Sequence, residues 1–432
     1  MAKQFNGRDV NSLKQQEDDS FGQFFLTITI RGVDVKNSNI LDIRIRENIF
    51  SIVPTLEMTF FDYGIFTDVF PLGDEDEILV NISTDKEQEG IKTSFVMNDY
   101  SIIPRDVNNM NSYIISFTAT LRTRNIFYPQ YSRAFSRVNS SDVITSLFEE
   151  AGFNVVEPVI SKDTMMWIQS RINNLSMIHN VLDYSYLGTD TTMFAYIDKH
   201  NNAYIKDLKT ETRKPKSFDL LQSTDPSITY YKQIKSIDKK LTTLGYNFFR
   251  MGFHNGTNNK TGGYGVSGYR YNYNAPTKYW DEVDIKNLPL LDLTPLTDYS
   301  LKNKTNATGN IFESAIFPMK YKGSNVHDNY EKAYLINKYI KKTFFSDVMV
   351  VNSYFNDEVK LFDKINVTIE SLAKQSESGE INKIYSGEYI VVGIINQVSK
   401  DGAYKSILYL SRGGINKSPF IEDTEMKLYG AD

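Results

Sequence analysis

Hydrophobic and polar residues alternate with a period of two over much of the first 120 positions. The runs Gln23–Arg31, Ile40–Arg46, Leu56–Asp62, Glu77–Ser83, Thr93–Met97 and Ser112–Thr120 each read as a half-buried strand. In the first of them Leu26, Ile28 and Ile30 share one face, and Phe25, Thr27 and Thr29 the other. Six short strands separated by turn residues predict a closed or half-open barrel, or a small sandwich. A second series comes late in the chain: Val348–Tyr354, Ile365–Ile369, Tyr385–Val398 and Ala403–Ser411, with Asp401-Gly402 as the hairpin turn between the last two.

Between the two series the period changes to that of a helix. Val143, Ile144, Leu147 and Phe148 form one stripe, with Ser140 or Ser141 as amide acceptor at its start and Gly152 as its left-handed stop. Phe153–Ile160, which contains Pro158, reads as an edge strand. A second helix follows Asn173-Asn174, buries Leu175, Ile178, Val181, Leu182 and Tyr186, and is closed by Gly188. A hairpin of Thr192–Asp198 and Ala203–Leu208 turns through Lys199-His200-Asn201-Asn202. Neither helix can hide its stripe alone, so the segment predicts a small α+β unit. A third helix opens at Asp328, with Asp328 and Glu331 in a capping-box relation and Ala333, Ile336 and Ile340 on one face.

Residues 218–326 carry less pattern. Ile228–Leu244 and Tyr246–Phe253 are strand candidates, Asn255–Tyr279 reads as a long Gly/Asn/Tyr loop, and Leu288–Thr294 and Phe312–Lys322 give little. Gly263–Gly268 matches G-x-G-x-x-G, but a dinucleotide site needs that motif between a strand and a helix, and no helical pattern follows. Tyr264, Tyr269, Tyr271 and Tyr273 instead make this stretch a candidate partner-contact loop, since tyrosine offers large contact area at small entropy cost.

Residues 72–82 read L-G-D-x-x-x-I-x-V-x-I and residues 361–369 read L-F-D-x-I-x-V-x-I. These are either two unrelated strands or corresponding parts of two similar barrels.

With 432 residues, two to four domains are expected. The 28 Tyr and 27 Phe favour a largely β chain with extensive contact surfaces. A net charge of −5 and a pI of about 5.6 argue against a nucleic-acid grip. The absence of cysteine excludes disulfides and thiolate metal sites and fits assembly in a reducing cytoplasm. Residues 1–20 form a polar arm without the apolar segment of a signal peptide, and no apolar run approaches the roughly 18 residues of a membrane span. His179, His200, His254 and His327 have no metal-ligand spacing, no G-x-S-x-G elbow occurs, and Asp74–Glu77 is a solvated acidic turn. No catalytic, cofactor or metal residue is assigned, and a non-enzymatic chain is expected.

The order of elements from Asn139 to Leu208 carries a resemblance. A helix ending in AGF precedes an extended run, then WIQSRINNLSMIHNVLDYSYLG, then the hairpin FAYIDKHNNAYIKDL. This resembles the baseplate hub proteins of contractile-tailed bacteriophages, the late-control tail proteins, and the hub region of type VI secretion spike proteins. The resemblance implies an α+β, mainly β chain with two similar β-barrel domains. The scheme is an arm at 1–20, a first barrel at 21–125, an α+β domain at 126–217, a connecting insertion at 218–327, and a helix with the second barrel and tail at 328–432. It further implies a homotrimer whose six barrels form a ring between a hexameric tail tube protein and a trimeric central spike protein. Tape-measure and baseplate wedge proteins are further expected partners, DNA passes only in transit, the wall of the bore is acidic or neutral, and the chain belongs to the virion without inserting into a membrane. A β-rich receptor- or glycan-binding tail protein is the alternative, and a cell-wall glycosidase ranks third.

Overall fold

The computed structural model describes residues 25–73, 76–83, 90–104, 112–221, 234–241, 265–271, 280–282, 311–318, 325–343, 347–354, 359–369, 386–400 and 404–412. Its first strands are β1 (Phe25–Ile30), β2 (Val33–Asp34), β3 (Ile40–Asn48), β4 (Ser51–Asp62), β5 (Glu77–Ser83), β6 (Ile91–Pro104) and β7 (Tyr113–Leu121). Leu26, Ile28 and Ile30 point into the core, as the alternation predicts. The β3–β4 hairpin turns on Asn48, whose side-chain oxygen accepts from the amides of Phe50 at 2.9 Å and Ser51 at 2.6 Å.

The middle of the chain holds β8 (Tyr131–Val138), α1 (Ser140–Glu150), β9 (Val155–Val156), β10 (Met165–Ile172), α2 (Asn174–Tyr184), β11 (Met193–Ile197), β12 (Ala203–Asp207) and α3 (Leu208–Arg213). After it come β13 (Phe218–Leu221), β14 (Ile234–Leu241), β15 (Gly265–Tyr271), β16 (Trp280–Glu282), β17 (Ile311–Pro318), α4 (Tyr330–Thr343), β18 (Asp347–Tyr354), β19 (Lys364–Thr368), β20 (Gly387–Ser399) and β21 (Tyr404–Arg412).

Thirteen strands share one sheet, in the order β14-β18-β21-β20-β3-β4-β7-β6-β5-β1-β2, with β19 beside β20 and β13 beside β19. Of the expected two similar β-barrel domains, the mainly β character is present but no closed barrel: the two series hydrogen-bond to each other in one sheet, and among the described residues neither closes on itself. β13 and β14, from the stretch assigned to the insertion, belong to this sheet.

Within it, however, a single plan occurs twice. The first half runs β1-β5-β6-β7-β4-β3 and the second β13-β19-β20-β21-β18-β14, each strand having its counterpart in the same place. All neighbours are antiparallel except β13 and β19, which are parallel. The match extends to single residues. Ile78 faces Phe95 where Ile365 faces Tyr389. The long middle strand is bulged between Met97 and Asp99 opposite β7, and between Val391 and Gly393 opposite β21. The last strand is irregular between Ile40 and Asp42 in one half and between Ile234 and Ser236 in the other. A bulge inserts one residue at one point of a ladder, so two bulges in corresponding positions mark a shared register, not merely a shared strand count. The Ile-x-Val-x-Ile segments are β5 and β19, equivalent in both order and pairing.

The α+β unit packs on the first half in one continuous core, where Val143, Ile144, Leu147, Phe148, Met177, Ile178 and Val181 join Ile43, Leu56 and Phe95. Phe194, Tyr196 and Leu208 enter the second core with Ile336, Ile340, Tyr389 and Ile394. The hairpin expected from the sequence is present as β11–β12, and β9 with its neighbouring Pro158 lies at the edge of that sheet, parallel to β12. β8 and β10 form a second ribbon that the pattern did not predict.

Helix ends depart from the local reading. Asn139 caps α1 by position without a side-chain bond. Ser140 and Ser141 are buried and bonded in space to Ser161 and Asp163. The Asp163 carboxylate accepts from the Ser140 amide at 2.9 Å, the Ser161 hydroxyl at 2.7 Å and the Tyr186 amide at 2.7 Å, so one side chain caps α1 and fixes the exit of α2. Gly152, at φ +94°, is the left-handed stop that was predicted. α2 begins on Asn173, whose oxygen accepts from the Ser176 amide at 2.8 Å. It ends at Tyr184, before Gly188, and Met177 takes a buried place while Leu175 and Tyr186 are half-buried. α4 begins at Tyr330, two residues after Asp328, and Tyr330 is held by the His327 carbonyl at 3.2 Å.

Replacing Asp163 by alanine leaves buried donors at both helix ends without their acceptor. A loss of about 3 kcal/mol is expected, measured as the shift in the urea unfolding midpoint with m unchanged.

Candidate assembly surfaces

The junction between the halves is the pairing of β20 with β3, from Gly393 opposite Asn48 to Ser399 opposite Asp42. On one face Ile43 and Ile45 are buried. The other face is charged in pairs: Arg44 lies 2.7 Å from Asp42, Arg46 lies 2.7 Å from Glu57, and Gln397 donates to Asp42 at 2.6 Å.

The tip of the β11–β12 hairpin is inserted beneath this junction. Glu47, 3% exposed, accepts from the Lys199 amide at 2.8 Å, and the Lys199 ammonium lies 3.9 Å away. The Thr93 hydroxyl donates to the Lys199 carbonyl. Burial raises the Glu47 carboxyl above its usual range and outweighs the attraction of Lys199.

Several strand edges are open among the described residues, and two of them correspond to the two sides of the junction between the halves. β5 accompanies β6 only from Ile91 to Val96, whereas β7 follows it to Pro104. The far part of β6 therefore has one bonded edge, and its Tyr100, Ile102 and Ile103 are 37%, 41% and 55% exposed. Pro104, Tyr113 and Asp62 lie abreast on three strands, which brings Tyr63 of the next turn, also exposed, to the same end of the sheet. The second open edge is β14, which pairs with β18 alone. An exposed apolar edge is a liability for an isolated chain, because its free amides and carbonyls template pairing with another strand.

A third region ties α2 to α4. The Asn337 side-chain amide donates to the carbonyls of Leu182, Asp183 and Ser185 at 3.2, 3.1 and 2.8 Å, capping α2 from a residue more than 150 positions away. Tyr184 stacks on Tyr330 with ring centres 4.2 Å apart. Lys338 and Lys341 lie 2.9 and 3.4 Å from Asp183, and together they hold its carboxyl below the usual range although burial opposes them.

Of the four tyrosines singled out, Tyr269 and Tyr271 sit on β15, opposite Glu282 and Trp280 of β16. Tyr264 and Tyr273 lie outside the described residues, as do Tyr246–Phe253, Leu288–Thr294 and the Asp401-Gly402 turn. The reading of 255–279 as one loop is corrected: Gly265–Tyr271 is a strand between β16 and β17, so the latter part of the G-x-G-x-x-G match is extended backbone that continues as strand through Tyr271. Ile311–Pro318, which carried little pattern, is the third strand of that sheet. Among the described residues no cluster of three or more metal-ligating side chains occurs, and no helix is long and apolar enough to cross a membrane.

No family model and no curated protein matches the sequence. The fold does match. It is similar to the 43 kDa tail protein of prophage MuSo2 from Shewanella oneidensis, with a TM-score of 0.53 and 10% identity over 90% of this chain and 99% of that one. It is also similar to the tail protein from Neisseria meningitidis MC58, with a TM-score of 0.50 and 9% identity over 91% and 98% of the two chains. The chain thus has the fold of these tail proteins almost from end to end. The resemblance read from Asn139–Leu208 to phage tail proteins is matched at the level of the fold.

The hairpin tip beneath the junction gives a pH signature. Because the fold favours protonated Glu47, its contribution is fully present below the ordinary glutamate value and is lost as pH rises through the raised one. Unfolding midpoints followed upward from the ordinary glutamate range should show this step in the natural chain and not in Glu47→Gln. Glu47→Ala should cost about 1–3 kcal/mol, as it removes the buried acceptor of the Lys199 amide.

Proposed function

We propose that this chain is a structural hub of a contractile phage-tail baseplate, working as a homotrimer. The observation that carries the reading is the duplicated six-strand plan with corresponding bulges. Three chains hold six like modules, so a threefold body offers sixfold-related surfaces to a tail tube protein on one side and threefold ones to a central spike protein on the other. In this reading each half acts as a half-open barrel module and the six stand in a ring. The fold shared with two tail proteins supports a tail role.

The ring encloses a bore for a tape-measure protein or for DNA in transit, and wedge proteins bind outside. The paired charges on the open face of β3 and β4 suit such a wall: Arg44 and Arg46 are offset by Asp42 and Glu57, so a polyanion meets no net basic surface. A map of the assembled ring with a bore lined by unpaired Lys and Arg would count against this part.

Light scattering of the purified protein should give three times the 49.6 kDa chain mass, and images should show six lobes around a hole. A monomer at micromolar concentration, or another number of lobes, would overturn the proposal.

A further inference from the structure

The duplication leaves one junction unaccounted for. In the second half, the part of β20 beyond its bulge seats β3. Its counterpart in the first half is the part of β6 beyond the equivalent bulge, which is open among the described residues. The counterpart of β3 is β14, whose outer edge is likewise open. One chain thus holds one completed junction and the two unmatched sides of a second.

We infer that the far part of β6 pairs with β14 of a second copy of this chain, antiparallel and in the register of the internal junction. This deepens the ring reading and rests on it. The register follows from the ladders. Tyr100 stands one place past the bulge, as Ile394 does, and Lys240 occupies on β14 the place of Arg46 on β3. Inside the chain Ile394 faces Glu47, Ile395 faces Arg46 and Gln397 faces Arg44. Between chains, Tyr100 therefore faces Leu241, Ser101 faces Lys240 and Ile103 faces Asp238.

A second copy is the occupant because each edge is the missing partner of the other and both belong to this sequence. The contact joins unlike surfaces head to tail, so it generates a closed ring if the rotation per chain returns to the start. It covers Tyr100, Ile102 and Ile103 and satisfies the backbone groups of both edges. Pro104, which has no N–H to donate, lies at the end of the ladder, where a missing bond costs least.

The sequence has no cysteine, so a Ser101→Cys/Lys240→Cys chain carries only the two introduced thiols. Facing Cα atoms on paired strands lie about 4.5–5.5 Å apart, within disulfide reach, while diagonal ones at about 7–8 Å are not. Mild oxidation should give covalent dimers and trimers on a denaturing gel, reversed by reductant. Ile103→Cys/Asp238→Cys should behave alike, and the out-of-register pair Ser101→Cys/Asp238→Cys should stay uncrosslinked. A chain that is trimeric by scattering yet crosslinks in neither matched pair overturns this inference and leaves the ring reading standing. Equal crosslinking of the out-of-register pair overturns the register. A ladder continuing past three supports the pairing and overturns the threefold ring, and a natural chain that stays monomeric overturns both.

Discussion

A β-strand has two edges, and each must find partners for its amides and carbonyls. In this chain the strand that meets that demand for both halves is β20. Its first residues pair with β19, its far residues pair with β3, and β21 lies along its other edge. The bulge at Val391/Gly393 marks the change of partner, and a bulge bends and twists a strand at such a point. Tyr389 to Val398 are buried without interruption, because this strand has the second core near one end and the first near the other. A strand covered on both faces cannot alternate, which is why Tyr389–Ile395 reads as nearly continuous apolar sequence.

The two cores depend on side chains that act across long stretches of sequence. Asp163 caps α1 and holds the Tyr186 amide, Asn337 caps α2, and Glu47 receives the tip of the β11–β12 hairpin. Each is polar, buried and engaged with backbone amides or carbonyls from a different element, so each fixes an orientation that apolar packing alone would leave free. The α+β unit is thereby attached to both halves of the sheet: its helices share the first core, and Phe194, Tyr196 and Leu208 enter the second.

The duplication also shows how one plan tolerates different connections. In the first half β3 turns into β4 through Ile49 and Phe50, while in the second the chain leaves β14, forms β15–β17 and α4, and only then returns as β18. β13 runs parallel to its neighbour where β1 runs antiparallel. The ladders in between keep their bulges nonetheless. Pairing register is set by which faces are buried, and connections can lengthen at modest entropic cost as long as the ends return to the same place.

Period-two alternation was enough to find β1, β3, β5 and β7, and period 3.6 to find α1, α2 and α4, because each buries one face and exposes the other. The kinship of Leu72–Ile82 with Leu361–Ile369 was legible as a pattern, but a pattern of five positions cannot distinguish chance from duplication. Pairing did so, through bulges that no sequence motif marks. The far part of β6 was missed because Asp99–Ile103 is exposed on both faces and shows no period; β8, β10 and β17 likewise lacked a clean one. Local pattern therefore reaches the strands and helices that bury one face and expose the other, since that depends on the spacing of apolar residues a few positions apart. Only the tertiary structure decided that two series of strands form one sheet, that Asp163, Asn337 and Glu47 close distant helix ends and turns, and which edges stay open, because a hydrogen bond between residues 23 to 152 positions apart leaves no trace in either segment alone.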